Sequence, residues 1–323
     1  MALPIKMDRC PKRSVAFMMF LCLPITVLIL MNPVSLISPI RHKEMTKSKD
    51  FRWEHVGWKR PQIPKANLRP THNKPVRILC FIPMSPNNDE RLTAVRDTWG
   101  KRCDKMLFFS SETNRNQTVI GLNVTEGYDF LWGKVKAAFE YVYEHHINDA
   151  DWFLKADDDT YVVLENLRNM LEREDMTQLI YYGRRLKNPN NINQSHMDGG
   201  AGYVISKSVL KKLVEIGMKN ASLCSQRQRG SEDVVMSQCL ERLGVSYGDS
   251  RDEYGKQRFF RFPLQGYFSR AVPENLRKIE YYPTAEGKEC CSDGLVSVHR
   301  VSIPNMYLLD YLLYKVRPQS EHC

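Results

Sequence analysis

The chain reads as an α/β protein built on a mostly parallel sheet flanked by helices. Two observations predict this. From Val76 onward, short apolar strands alternate with helix-length amphipathic segments. That order favours parallel pairing with both sheet faces covered. An acidic triplet, Asp157, Asp158 and Asp159, also follows directly on the apolar run Trp152, Phe153, Leu154. Open α/β sheets bind their ligands at the carboxyl ends of such strands.

The elements follow in order. Residues 76–84 are an apolar strand ending in a Ser-Pro-Asn-Asn loop, 90–99 are helical, and 106–110 are a second strand. Residues 131–146 form an amphipathic helix with Val135, Ala138, Phe139, Val142 and Tyr143 on one side. Residues 151–156 are the strand before the triplet, 165–173 a helix and 179–183 another strand. The segment 232–243 is a helix with Val234, Val235, Cys239 and Leu240 inward. No internal repeat is visible.

Ahead of this domain, Lys6, Arg9, Lys12 and Arg13 precede an uncharged stretch whose apolar heart, residues 15–31, is about the minimum length for a membrane span. The alternative is a cleaved signal peptide, but no convincing small-x-small cleavage site follows. The expected layout is a cytosolic tail (1–13), a type II signal-anchor (14–37), a stem (38–75) and a lumenal domain (76–323). Phe51, Trp53 and Trp58 leave open a stem that packs on the domain. The net charge of +10 suggests nucleic-acid binding only until it is located. Residues 1–75 hold 14 Lys/Arg against 4 Asp/Glu, and the remainder holds 33 of each. The folded part is therefore near neutral, which leaves a nucleic-acid footprint unsupported. No Cys-x-x-Cys pair suggests zinc or a redox motif. In an oxidising lumen the seven cysteines beyond the span leave one thiol over, with terminal Cys323 the favoured one. Sequons at Asn116, Asn123, Asn193 and Asn220 fit a secretory route.

The triplet carries the chemistry. Three adjacent carboxylates at an apolar strand end repel one another unless a cation neutralises them. Hard oxygen ligands suit Mg²⁺, Mn²⁺ or Ca²⁺, and such an ion could hold the diphosphate of a nucleotide-linked donor. The bland alternative is a solvated turn, or a helix cap made by Asp159 or Thr160. An EF-hand fits poorly, because the twelfth residue counted from Asp157 is Arg168.

Further strings accompany it: R-I-L-C at 77–80, T-W-G-K-R-C at 98–103, F-L-K-A-D-D-D-T-Y-V at 153–162, G-R-R at 183–185 and G-G-A-G-Y-V-I-S at 199–206. E-D at 232–233, G-D-S-R-D at 248–252, C-C-S-D at 290–293 and the single His299 complete the set. Together they resemble the core 1 β1,3-galactosyltransferase family, inverting enzymes with a GT-A fold, over roughly residues 76–315. The resemblance implies Mn²⁺ as cofactor and UDP-galactose as donor. The implied acceptor is GalNAc on Ser/Thr of a glycoprotein, and the implied location is the Golgi membrane. It also admits a homodimer. It implies Asp157, Asp159 and His299 as metal ligands and Asp158 as a residue positioning the donor or its ribose. Met84, Glu126, Gly127 and Lys134 would lie beside the uridine diphosphate, and Gly200 would let backbone approach the sugars. Asp233 would be the catalytic base, at a helix start where capping is its alternative role. For His299 alone the alternative is a structural histidine, and for Lys134 a solvated helix face. The resemblance further implies the pairs Cys80–Cys103, Cys224–Cys239 and Cys290–Cys291.

The chain also departs from that pattern. An aromatic run expected before Tyr281 reads E-N-L-R-K-I-E, and F-P-L-Q-G-Y at 262–267 replaces F-V-P-E-H-H. Arg300 stands where the family usually has Tyr, and Tyr128 where a donor-side Arg is common. Two other functions therefore stand beside the first: a transferase of altered donor or acceptor, and a non-catalytic, chaperone-like partner. Retention of the triplet, Asp233 and His299 argues against the last.

Overall fold

The computed structural model describes residues 75–188 and 191–317. The expected anchor, the stem and Cys323 lie outside the described residues. No helix among the described residues is long and apolar enough to cross a membrane.

The chain opens with β1 (Ile78–Pro83), α1 (Asp89–Asp97), β2 (Lys105–Ser110), β3 (Val119–Gly121) and α2 (Leu131–His146). It continues through β4 (Trp152–Lys155), β5 (Tyr161–Val162), α3 (Leu164–Leu171) and β6 (Ile180–Gly183). The hairpin β7 (Arg185–Asn188) and β8 (Asn191–Met197) leads to β9 (Tyr203–Ser206) and α4 (Lys207–Lys212). Then come α5 (Glu232–Arg242), β10 (Ser246–Tyr247), β11 (Phe259–Phe260), α6 (Leu264–Phe268) and α7 (Glu274–Lys278). The last elements are β12 (Ser297–Val298) and α8 (Ile303–Tyr314).

Seven strands make the main sheet, in the order β10-β6-β9-β4-β1-β2-β3. The neighbours β1–β2, β1–β4, β2–β3 and β6–β10 run parallel, as the alternating pattern predicts. Strand β9 differs, because it is antiparallel to both β4 and β6. The reason is its connection. The chain leaves β6 into a hairpin rather than a crossover helix, and so returns in the opposite direction.

Alternation along β1 sends Ile78, Cys80 and Ile82 to one face, with Leu92 and Val95 of α1, Leu167 of α3 and Met306 of α8. Leu79 and Phe81 face the other way, onto Val135 and Phe139 of α2 and Leu240 of α5. Helix α2 has the predicted bounds and buried side; Tyr143 sits at its edge and donates its hydroxyl to Glu215. Helix α5 corrects an expectation. Val234 and Val235 are only half-buried, and the inward residues are Glu232, Met236, Ser237, Cys239 and Leu240. Its first turn is rotated so that a carboxylate goes inside, because a buried cation waits there. All three implied cysteine pairs are disulfides, and Cys224–Cys239 fastens the preceding loop to α5.

Candidate active site

Strand β4 is apolar because both its faces are covered, and it ends on Lys155. The acidic loop then turns back: the Thr160 N–H donates to the Asp157 carbonyl (3.1 Å), and the Thr160 hydroxyl to the Gly200 carbonyl (2.7 Å). That second bond docks the triplet against the turn that enters β9. Within this turn Gly202 has φ of +81°, a conformation that favours glycine.

Strand β12, paired between β11 and β5, delivers His299 to the same place. His299 Nε2 lies 3.0 Å from Asp159 Oδ1 and 3.8 Å from Asp157 Oδ2. One ligand atom from each of Asp157, Asp159 and His299 lies within 4.8 Å of the other two. Gly200 makes room for this group, since a Cβ there would collide with the His299 ring. Its missing side chain thus serves the imidazole, although Gly200 also lines the cavities beside it. Burial disfavours charge on both partners. Even so, the hydrogen bond and charge shared with Asp159 hold His299 above its ordinary value and Asp159 below the usual carboxylate range.

Asp158 lines one of these cavities beside Asp157 and Asp159, and accepts a hydrogen bond from Asn88. Burial pushes its carboxyl up to about 6, with Asp157 and Asp159 adding to the effect and Arg91 opposing it. A carboxyl raised on folding costs stability above its folded pKa, and that cost disappears below its unfolded value. Asp158→Asn should therefore raise the Tm of the metal-free protein at pH 7.5 by roughly 3–6 °C. The gain should fade toward pH 4.5 in thermal melts.

On the far wall, the Gly230 N–H donates to the Asp129 carbonyl (3.1 Å) and α5 begins two residues later. Its first two residues divide the work. Glu232 is 4% exposed and has both oxygens engaged, by the Tyr203 hydroxyl (2.5 Å) and Lys155 Nζ (3.3 Å). Asp233 keeps a quarter of its side chain exposed. Its Oδ2 accepts from the Gly199 N–H (3.3 Å), and His196 Nε2 stands 3.8 Å away. A cavity of about 420 Å³ lies over the acidic triplet and His299, and another of about 530 Å³ lies over the start of α5. Asp157, Gly200, Asp233 and Arg261 belong to both walls.

The structure therefore brings together Asp157, Asp158, Asp159, Gly200, Asp233 and His299. Met84, Glu126, Gly127 and Lys134 line neither cavity. Lys134 is 3% exposed rather than on a solvated face, and its ammonium donates to the Met84 carbonyl (2.9 Å) and to Glu126 (2.6 Å). Burial opposes ionisation of Glu126, yet this lysine and Ser111 hold it below its ordinary value. The group braces the loop after β1 against the segment before α2, and Tyr128 and Asp129 reach the cavities instead.

Other residues at the site escape sequence reasoning. Buried Asp198 faces Arg261 (Nε to Oδ1, 3.5 Å), and His196 is 8% exposed with an unpartnered Nδ1. Nothing local in Ser-His-Met-Asp marks either. Lys155 did carry a signal, since a lysine closing a buried strand requires buried acceptors.

Comparison with known proteins places the chain among relatives. The Fringe-like family model matches residues 85–252. Glycoprotein-N-acetylgalactosamine 3-beta-galactosyltransferase 1 of Xenopus laevis is 38% identical over 269 residues, covering 81% of this chain and 73% of its own. The β-1,3-glucosyltransferase of Mus musculus is 23% identical over 190 residues, 58% of this chain and 37% of its own. Among solved structures, the galactosyltransferase LgtC with donor and acceptor sugar analogues aligns loosely, at 9% identity and a TM-score of 0.40 over 74% of this chain and 98% of its own. The 38% identity to the Xenopus enzyme across four-fifths of the chain, together with the Fringe-like match over residues 85–252, leads to one conclusion: the chain belongs to the core 1 β1,3-galactosyltransferase family of Fringe-like glycosyltransferases.

Proposed function

We propose that the protein is a Golgi type II membrane enzyme that transfers galactose from UDP-galactose, with inversion, to the 3-hydroxyl of GalNAc on Ser/Thr. The observation that carries this reading is the convergence of Asp157, Asp159 and His299 beside Asp233 across a shared cavity wall. The donor set of two carboxylates and one imidazole suits Mn²⁺, and these three residues would hold it. Bound there, the ion would act as a Lewis acid toward the departing diphosphate. Asp158, and the group of Met84, Glu126, Gly127 and Lys134, would shape the donor side. Inversion in one displacement requires a base on the acceptor side. Asp233 is suited to it, because it keeps a quarter of its side chain exposed and is held by backbone N–H groups of Gly199 and Val234. Glu232, by contrast, is buried against Lys155 and Tyr203, and the triplet lies toward the metal site. The Gly199 N–H orients the Asp233 carboxylate, and the acceptor proton would pass to one of its oxygens.

The test is full-length protein in detergent with Mn²⁺, UDP-galactose and a GalNAc-Ser/Thr peptide. Disaccharide product is expected, and a panel of UDP-sugars should show a preference for UDP-galactose. A second reading, altered donor or acceptor specificity, has its own support. Where the family pattern has aromatic rings, α7 exposes Glu274, Asn275, Arg277 and Lys278. Mn²⁺-dependent UDP binding without transfer to the peptide would favour it, and absence of UDP binding would favour a non-catalytic partner. The site's tight packing supplies a further check. Gly200→Ala should displace the His299 ring and weaken Mn²⁺ binding by about tenfold or more, measured by titration.

A further inference from the structure

Lys155 lies between the acidic loop and the head of α5, at the floor of the larger cavity. Its side chain is 1% exposed. An ammonium has three protons, and three acceptors surround this one: Asp157 Oδ1 at 2.7 Å, the Gly199 carbonyl at 3.1 Å and Glu232 Oε2 at 3.3 Å. They come from the acidic loop, the turn before β9 and the first turn of α5. Each belongs to a part of the site that must keep its distance from the others. Asp157 turns its other oxygen, Oδ2, toward His299. Gly199 donates its N–H to Asp233 and precedes the glycine that accommodates His299. Glu232 is the residue before Asp233. A lysine serving only to neutralise buried Glu232 would approach that carboxylate most closely, whereas here the shortest contact is to Asp157.

We propose that Lys155 is a positioning residue that fixes the candidate metal carboxylate and the candidate base at a set separation. It occupies Oδ1 of Asp157, so that Oδ2 alone is left toward His299, and it ties the same loop to the head of α5. The arrangement has an electrostatic consequence. A buried positive charge in contact with a metal carboxylate repels a divalent cation, so the site binds its ion less tightly than its carboxylates alone would. Geometry is secured at the expense of metal affinity. This inference rests on the function proposed above.

The test uses full-length protein in detergent, with Mn²⁺ binding measured by calorimetry in the absence of substrate, and kcat and KM measured separately. Lys155→Met should bind Mn²⁺ about threefold or more tightly while kcat falls about 100-fold and KM for the UDP-sugar moves little. Packing alone would produce the opposite pattern, with metal binding and turnover lost together. Weaker or unchanged Mn²⁺ affinity, or a kcat close to wild type, would overturn the proposal. Because Glu232 loses its cation in that variant, Lys155→Met with Glu232→Gln, compared with Glu232→Gln alone, should give the same tighter binding and slower turnover. If Glu232→Gln folds and neither Lys155 variant does, Lys155 is a core requirement and the proposal is wrong. Wild-type protein that neither binds Mn²⁺ nor transfers sugar would instead sink the proposed function and would be recognised as such.

Discussion

Asp159→Ala should leave a folded protein that no longer transfers sugar, with a loss on the order of 10³-fold, equivalent to several kcal/mol of transition-state stabilisation. The fold should survive because the Asp159 side chain makes its contact with His299, whereas its place in the loop is fixed by backbone: the Asp159 carbonyl accepts from the Val301 N–H at 2.8 Å. The site should not survive. Truncation removes one of two carboxylates in the ligand group and leaves His299 facing only Asp157, at 3.8 Å. Measured together, Mn²⁺ affinity and product formation should fall and Tm should hold. Equal product from mutant and wild type would remove Asp159 from the metal site.

Asp233→Asn should separate binding from chemistry. The amide oxygen can keep one of the two backbone bonds that the carboxylate accepts, from the Gly199 and Val234 N–H groups. The side chain keeps its volume away from the metal ligands, so Mn²⁺ and UDP should bind nearly as before. What disappears is basicity, and kcat should drop by about 10²–10⁴-fold. Glu232 offers no substitute, being held by Tyr203 and Lys155 and nearly inaccessible. A variant with near-normal kcat would reassign the base, and His196 would be the next group to replace.

The parts of this protein that could be read in advance are those where one residue's neighbours in sequence are also its neighbours in space. Helix α2 has the predicted ends because its 3.6-residue apolar period continues unbroken from Leu131 to His146. Strand β4 was legible from three large apolar residues against an acidic stop. Direction is another matter. Nothing in Tyr-Val-Ile-Ser declares whether a strand runs parallel, and β9 is reversed by a hairpin upstream of it. Side chains brought in from afar were harder still. His299 could be connected to Asp159 only through the family resemblance, since 140 positions separate them in the chain. Lys134 was placed beside the donor by resemblance alone, with a solvated helix face as the alternative; the Met84 loop, from an earlier part of the sequence, covers it and rules out the solvated face. The Asp198–Arg261 pair had no local signal of any kind.

The reversed strand also limits how this protein can open. Strand β9 is in register with β4 over four residues, from Trp152 opposite Ser206 to Lys155 opposite Tyr203. The acidic loop and the Gly199–Gly200 turn therefore rise from adjoining rungs of one ladder and cannot part without breaking it. Any widening of the site would then fall to the opposite bank, where Tyr128 lines both cavities and is nearly fully exposed. Under the proposed function, tightening that margin should slow release of nucleotide while leaving bond-making untouched.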